Sequence, residues 1–105
     1  MIRPKRFRLS RLASRDLVEI YKFIAEKNPI AADRLVDELQ QKIERFASLG
    51  MTGVSREEFR EGLRAFFYKN YIIYFRSADS DILVLRIRHG KQKNRADDFP
   101  ESDMT

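Results

Sequence analysis

Apolar residues recur at helical spacing near the start of the chain, which predicts an amphipathic helix. The stripe consists of Leu17, Ile20, Tyr21 and Ile24. Ser14 precedes the stripe, and its hydroxyl can accept a hydrogen bond from the first helical turn. The sequence therefore predicts a helix over about residues 14 to 27, capped by Ser14.

A second apolar stripe follows after a short break and predicts a second helix. Its members are Ala32, Leu35, Val36, Leu39, Ile43 and Phe46. Asn28 can cap this helix, and Pro29 suits its first position because the amide that proline lacks would have no partner there. Gly50 favours an end near Leu49. Two helices joined by so short a link are expected to form an antiparallel hairpin.

Runs of aromatic and branched residues predict strands in the rest of the chain. Residues 7–10 alternate apolar and polar side chains, and their basic neighbours suit a strand at a sheet edge. Residues 63–68, 71–76 and 82–88 predict three further strands, whereas residues 51–62 lack a clear period and are expected to form a loop. Together these patterns predict an α+β fold, in which an antiparallel two-helix hairpin packs on a C-terminal antiparallel three-stranded meander beside an N-terminal edge strand.

Pairing within the meander predicts which residues share a face of the sheet. A two-residue turn at Lys69-Asn70 places Phe66 opposite Ile73. The next turn is expected to place Arg76 opposite Ile82. The face toward the helices then consists of Phe66, Tyr71, Ile73, Phe75, Leu83, Leu85 and Ile87. The opposite face consists of Phe67, Ile72, Tyr74, Arg76, Ile82, Val84, Arg86 and Arg88.

The opposite face mixes apolar and basic residues, which makes it a candidate interface. We expect it to bind a partner that is both apolar and acidic through Phe67, Ile72, Tyr74, Arg76, Val84, Arg86 and Arg88. Two alternatives stay open: the C-terminal segment covers this face, or a three-residue first turn exchanges the faces of the first meander strand. Arg76 has the further alternative of an ion pair with Asp79 or Asp81.

Composition and charge narrow the function classes. The chain has 105 residues, which suits a single domain, and it has no cysteine, which excludes disulfides and thiolate metal sites. A charge of +5, from 21 Lys and Arg against 16 Asp and Glu, favours an acidic partner. No apolar run is long enough to span a membrane, and no signal-peptide pattern is found, so we expect a cytoplasmic protein without membrane contact. Residues from about 96 to 105 are expected to form a flexible tail.

The order of the elements and the residues that form them resemble the ParE branch of the ParE/RelE superfamily of bacterial toxins. The resemblance is carried by residues 17–25 and 28–35, by Gly62-Leu63-Arg64, and by residues 71–76 and 82–90. Each segment alone is common, but their order and separations are specific. The resemblance implies a type II toxin that inhibits DNA gyrase, forms a hetero-oligomer with a ParD-like antitoxin, and has no cofactor and no sequence-specific DNA binding of its own.

The same superfamily contains RelE-like toxins that cut messenger RNA on the ribosome, and this is the alternative function. Such cleavage needs a proton acceptor, a proton donor and cations to stabilise the developing phosphorane. The candidates are His89, which is the only histidine, together with Arg64 and Tyr68. Residues 57–61 include three glutamates in the loop where RelE-like nucleases tend to place lysines, which argues against this alternative.

The nuclease candidates also have structural interpretations. His89 is expected to pack or to form a hydrogen bond at the end of the last strand, and Arg64 has Asp37 and Glu44 as possible ion-pair partners on the hairpin. One histidine and no cysteine make an ordinary metal site unexpected. We therefore expect a toxin without catalytic activity, metal or cofactor, and an inert relative that only binds its antitoxin stays open as a third interpretation.

Overall fold

The computed structural model describes residues 5–100, and residues 1–4 and 101–105 lie outside it. Its elements, in chain order, are β1 (Arg6–Leu9), α1 (Arg11–Ala25), α2 (Pro29–Ser48), β2 (Val54–Ser55), β3 (Arg64–Tyr68), β4 (Tyr71–Ser77), β5 (Asp81–His89) and a short 3₁₀-helix (Ala96–Asp98). The strands form a sheet in the order β1-β5-β4-β3-β2, with β1 parallel to β5 and the other neighbours antiparallel. The predicted α+β fold is confirmed, including the position of β1 at a sheet edge.

The helix caps follow the predicted rule at one helix and depart from it at the other. In α2, Asn28 Oδ1 accepts a hydrogen bond from the Ala31 amide at 3.1 Å, as predicted. In α1 the cap is Ser10, whose hydroxyl accepts from the Ala13 amide at 3.0 Å and donates to the Leu85 carbonyl oxygen at 2.9 Å. The predicted cap Ser14 is therefore wrong, because the chain turns into α1 directly after β1.

The turn between β3 and β4 is the predicted one. Lys69 has a φ of 53°, which lies in the left-handed region that a tight two-residue hairpin turn requires. The predicted pairs Phe66 with Ile73 and Phe67 with Ile72 are both present. Lys69 Nζ also donates to Glu38 Oε1 at 2.8 Å, which ties this turn to α2.

The predicted pairing of β4 with β5 is wrong, because β5 contains a bulge. Phe75 pairs with Val84 while its neighbour Tyr74 pairs with Arg86, so Leu85 is an extra residue without a direct partner. Before the bulge the register is also one residue from the predicted one, since Ser77 rather than Arg76 lies opposite Ile82. The faces predicted for residues 82–85 are consequently exchanged, whereas those of residues 86–88 are as predicted.

The two faces of the sheet each support a separate apolar cluster. The cluster under the helices contains Ala13, Leu17, Leu39, Ile43, Phe46, Ala47, Ile73, Phe75, Ile82, Val84 and Ile87. Within it the ring of Phe46 stacks on that of Phe66, with 4.0 Å between their centroids. The cluster on the opposite face contains Leu63, Ala65, Tyr74, Leu83, Leu85 and Phe99. The sheet is therefore covered on both faces.

The loop predicted for residues 51–62 contains the two-residue strand β2, which pairs with the start of β3. Gly53 has a φ of +66°, and a side-chain Cβ there would lie 2.4 Å from the carbonyl oxygen of Ala65. The Arg64 guanidinium donates to the carbonyl oxygens of Thr52 and Gly53. It thus fixes this loop, and the expected pairing of Arg64 with Asp37 or Glu44 is not what the structure shows.

A single carboxylate on α1 completes the edge of β5 where β1 ends. Asp16 Oδ2 accepts a hydrogen bond from the Ile87 amide at 2.9 Å. The two carboxylate oxygens also accept from Nε and Nη2 of Arg86 at 2.8 and 2.9 Å, a paired geometry that strengthens the contact. Arg86 and Asp16 side chains are each only 14% exposed, so each charge depends on the other.

We predict that Asp16→Ala lowers the free energy of unfolding by about 3 kcal/mol, because it leaves a largely buried guanidinium and a strand amide without their acceptor. The measurement is chemical denaturation of the purified variant against the wild type. Asp37→Ala removes an exposed carboxylate from α2 and is the matched control. Equal stability of the two variants would contradict the assigned role of Asp16.

Candidate functional site

The sheet face that the sequence predicted to be an open interface is covered by the C-terminal segment. Phe99 is 1% exposed and lies edge-on against Tyr74, with 4.9 Å between ring centroids. Its carbonyl oxygen accepts a hydrogen bond from Arg60 Nη1 at 2.6 Å. The alternative in which the C-terminal segment covers this face is confirmed. Residues 96–98 form a 3₁₀-helix and Phe99 is buried where a flexible tail was expected, and residues 101–105 of that tail lie outside the described residues.

The two arginines predicted to be free cations on this face have partners within the chain. Arg86 is held by Asp16 and also donates from Nη1 to the Asp98 carbonyl oxygen at 2.9 Å. The Arg88 side chain is only 11% exposed, donates to the Lys93 carbonyl oxygen at 3.2 Å, and has the Asp98 carboxylate 3.9 Å away. Their placement on an open binding face is therefore wrong.

The remaining residues of the predicted interface divide into buried and exposed members. Val84 is buried under the helices, because the register of β5 exchanges its face. Tyr74 is buried on the opposite face, where its hydroxyl accepts from Asn94 Nδ2 at 2.7 Å, and Ile72 is half-buried beside it. Phe67 and Arg76 are exposed. The structure thus does not bring the seven predicted residues together on one accessible surface.

We predict that Phe99→Ala lowers the free energy of unfolding by about 3 kcal/mol, because it removes a fully buried ring from the cluster around Tyr74. Denaturation by guanidinium, with binding of a hydrophobic dye as a second readout of the uncovered face, measures the effect. Phe23→Ala is the matched control, since Phe23 is 78% exposed. If both variants unfold at the same denaturant concentration, the C-terminal segment does not pack as described.

The residues proposed for RNA cleavage do not form one site. Tyr68, Tyr71 and His89 lie side by side across β3, β4 and β5, because Tyr71 pairs with both of the others. Arg64 lies four residues away along β3, a separation of about 13 Å in an extended strand. Its guanidinium is engaged by the 52–53 carbonyls. The structure therefore separates the candidate cation from the candidate acid and base.

His89 has the structural contacts that were expected of it at the strand end. Its Nδ1 accepts a hydrogen bond from the Lys91 amide at 3.1 Å, and its ring meets Tyr71 edge-on at 5.5 Å. Its own amide donates to Gln92 Oε1 at 2.7 Å. Burial raises the pKa of the Tyr71 phenol above its usual value. These contacts order the end of the sheet.

A groove of about 570 Å³ runs between α1 and the end of β5, and the sequence analysis did not predict it. Its lining residues are Asp16, Glu19, Ile20, Phe23, Tyr71, Ile87, His89, Lys91 and Gln92. Both acidic and basic side chains line it, so its charge favours no particular partner. Phe23 lies three residues after Ile20, a spacing that also fits a buried helix face. The sequence therefore did not identify Phe23 as an exposed residue of a groove.

A second groove is lined by side chains of β1 and of both helices, and exposed cations of α1 lie beside it. Its lining residues are Leu9, Ser14, Leu17, Val18, Tyr21, Val36 and Gln40. Val18 is half exposed, and Arg11, Arg15 and Lys22 are exposed at the helical spacing that places them on the same outward stripe of α1. This hairpin groove suits an amphipathic segment that carries acidic residues. In the sequence, the helical spacing of the three cations with Val18 could have indicated this surface.

Among residues 5–100, no group of His, Asp and Glu side chains is arranged to hold a metal ion. No helix in the same part of the chain has the length and apolar composition that crossing a membrane requires.

Comparison with known proteins shows the family to which the chain is similar. The model of the ParE toxin family, of the parDE type II toxin–antitoxin system, matches residues 7–94. The chain is 26% identical over 83 residues to Toxin ParE3 of Caulobacter vibrioides, covering 78% of this chain and 83% of that protein. It is 27% identical over 82 residues to Toxin RelE3 of the same bacterium, covering 77% and 89%.

A solved structure confirms the fold. The chromosomal ParDE toxin–antitoxin system from P. aeruginosa contains a chain that superposes with a TM-score of 0.68 at 22% sequence identity. The match covers 81% of this chain and 95% of that one.

Proposed function

Because the chain belongs to the ParE toxin family of type II toxin–antitoxin systems, we propose that it inhibits DNA gyrase by binding, without catalysis, and is neutralised by a ParD-like antitoxin. The proposal that the protein has no catalytic activity is supported by the separation of Arg64 from Tyr68 and His89. General acid–base cleavage requires its groups within hydrogen-bond reach of one substrate. Since gyrase acts in the cytoplasm, we propose that this protein also acts in the cytoplasm.

A ribosome-dependent nuclease is the second candidate. It is supported by the similarity to Toxin RelE3 and by the row of Tyr68, Tyr71 and His89 at one end of the sheet. Stacking of bases on aromatic rings is a common mode of RNA recognition. The nuclease would need its phosphate-binding cation from elsewhere, since Arg64 is engaged in fixing the 52–53 loop.

We predict that DNA synthesis fails before protein synthesis when the protein is induced without its antitoxin. The measurement is a pulse-label time course that follows thymidine and methionine incorporation in parallel, and purified protein is then added to a gyrase supercoiling assay. His89→Ala, with its melting temperature checked, should leave the inhibition intact. An early fall of methionine incorporation that His89→Ala relieves would instead establish the nuclease candidate.

The antitoxin is proposed to place an acidic amphipathic segment in the hairpin groove. The apolar lining would receive its apolar side chains, while Arg11, Arg15 and Lys22 would face its carboxylates. Charge complementarity of this kind accelerates association and selects the partner. Antitoxin and gyrase would then be separate binding partners of one small domain.

We predict that Val18→Glu weakens antitoxin binding by about tenfold or more, equivalent to at least about 1.4 kcal/mol, because it puts a carboxylate into an apolar groove beside acidic residues of the partner. Titration calorimetry with the purified antitoxin measures the change. Ile30→Glu adds the same charge at another exposed apolar position of the hairpin, outside the groove lining, and should leave the affinity within about twofold. Equal losses of antitoxin affinity in the two variants would contradict the proposal that the antitoxin binds in the hairpin groove.

A further inference from the structure

Three exposed apolar side chains surround a small cleft between the end of α2 and β3. Leu49, Met51 and Phe67 line this cleft together with Lys42, Arg45, Phe46 and Phe66. Val54 of β2 is also exposed and lies diagonally across from Phe67, because Val54 pairs with Ala65. We name Leu49, Met51, Val54 and Phe67, with the cleft between them, the α2–β3 patch.

The loop that presents this patch is held in one conformation. Gly50 and Gly53 have φ values of 64° and 66°, which other residues adopt with strain. Gly53 packs so closely on the carbonyl of Ala65 that a Cβ has no space, and Arg64 binds the carbonyl oxygens of Thr52 and Gly53. A rigid surface loses less conformational entropy on binding than a mobile one. The exposed side chains of Met51 and Val54 are therefore presented by a preorganised backbone.

The charged side chains that line the cleft are positive. Lys42 and Arg45 line the cleft, and the described lining residues include no carboxylate. The guanidinium of Arg56 lies 5.8 Å from the centre of the Phe67 ring, a cation–π distance that orients the ring and keeps a third positive charge beside it. An apolar patch with a basic rim is complementary to a segment that combines apolar and acidic side chains.

We propose that the α2–β3 patch is the surface through which this toxin binds an acidic, partly apolar segment of its target protein. It lies near β2, at the opposite edge of the sheet from β1, whose Leu9 lines the hairpin groove. The hairpin groove is assigned to the antitoxin, so the α2–β3 patch is a separate surface for the target. The inference rests on the proposed function only in requiring a protein target, whether or not that target is gyrase.

The test compares two substitutions that introduce opposite charges at one position of the 105-residue chain. Met51 is 52% exposed, so both Met51→Glu and Met51→Lys are expected to fold, and melting temperatures within a few degrees of the wild type confirm this. Met51→Glu should reduce growth inhibition by about tenfold or more, because its carboxylate repels the acidic segment. Met51→Lys removes the same apolar side chain but adds a charge that attracts the acidic segment, so it should reduce growth inhibition by a clearly smaller factor. Both variants should bind the antitoxin within about twofold of the wild-type affinity.

Ile30→Glu is the control for the added negative charge and should inhibit growth as the wild type does, since Ile30 lies outside the patch. The proposal is overturned if Met51→Glu remains fully inhibitory, if both Met51 variants lose activity equally, or if Met51→Glu also loses antitoxin binding. Growth inhibition does not presuppose the target's identity. Loss of inhibition in Met51→Glu, combined with a wild type that leaves supercoiling unaffected, would support the patch and reject gyrase.

Discussion

The carboxylate of Asp16 is the contact on which the arrangement of helices, sheet and C-terminal segment depends. β1 pairs with only residues 81–84 of β5, so the rest of that strand has an edge without a neighbouring strand. Ser10 binds the carbonyl of Leu85, and Asp16 binds the amide of Ile87, so the start of α1 completes the edge. Buried backbone groups without partners are costly, and these two side chains remove that cost.

Asp16 also helps to position the C-terminal segment on the far side of the sheet, because it holds Arg86. The bulge at Leu85 puts Arg86 where it reaches Asp16 with two nitrogens and the carbonyl of Asp98 with the third. The C-terminal segment is thereby held in place, and Phe99 enters the cluster around Tyr74. One ion pair links α1, β5 and the 3₁₀-helix, which belong to different parts of the sequence.

Local rules explain the parts of the fold that the sequence predicted. The cap at Asn28, the start at Pro29 and the turn at Lys69-Asn70 each depend on a few neighbouring residues. The bulge at Leu85 brings Arg86 to Asp16, which is 70 residues away in the chain, and no periodicity within β5 encodes it. A two-residue strand such as β2, and a lone Phe99 in a polar segment, are likewise too short to produce a pattern.

The same distinction applies to the candidate sites. Arg86 and Arg88 were predicted to be binding residues because the sequence of β5 alone does not show their partners. Those partners are Asp16 and the 93–98 segment. Val18 is absent from the predicted apolar stripe of α1, and Met51 falls in a predicted loop, so neither was singled out as an exposed apolar residue. Val18 shares its stripe with three cations, and Met51 lies between two glycines of positive φ. Exposure is a tertiary property, so a sequence predicts which side chains are apolar better than which of them are accessible.

Covering both faces of the sheet leaves its edges and the outer faces of the helices for recognition. The hairpin groove lies near the β1 edge and the α2–β3 patch near the β2 edge, and each combines apolar side chains with at least two cations. Under the two proposals made above, the excess of positive charge would serve the binding of acidic protein segments at both surfaces. Two surfaces at opposite edges allow a partner that neutralises the protein and a partner that it inhibits to be recognised by different side chains. That division suits inhibition by binding, because it requires surface complementarity and no convergence of acid, base and phosphate-binding groups.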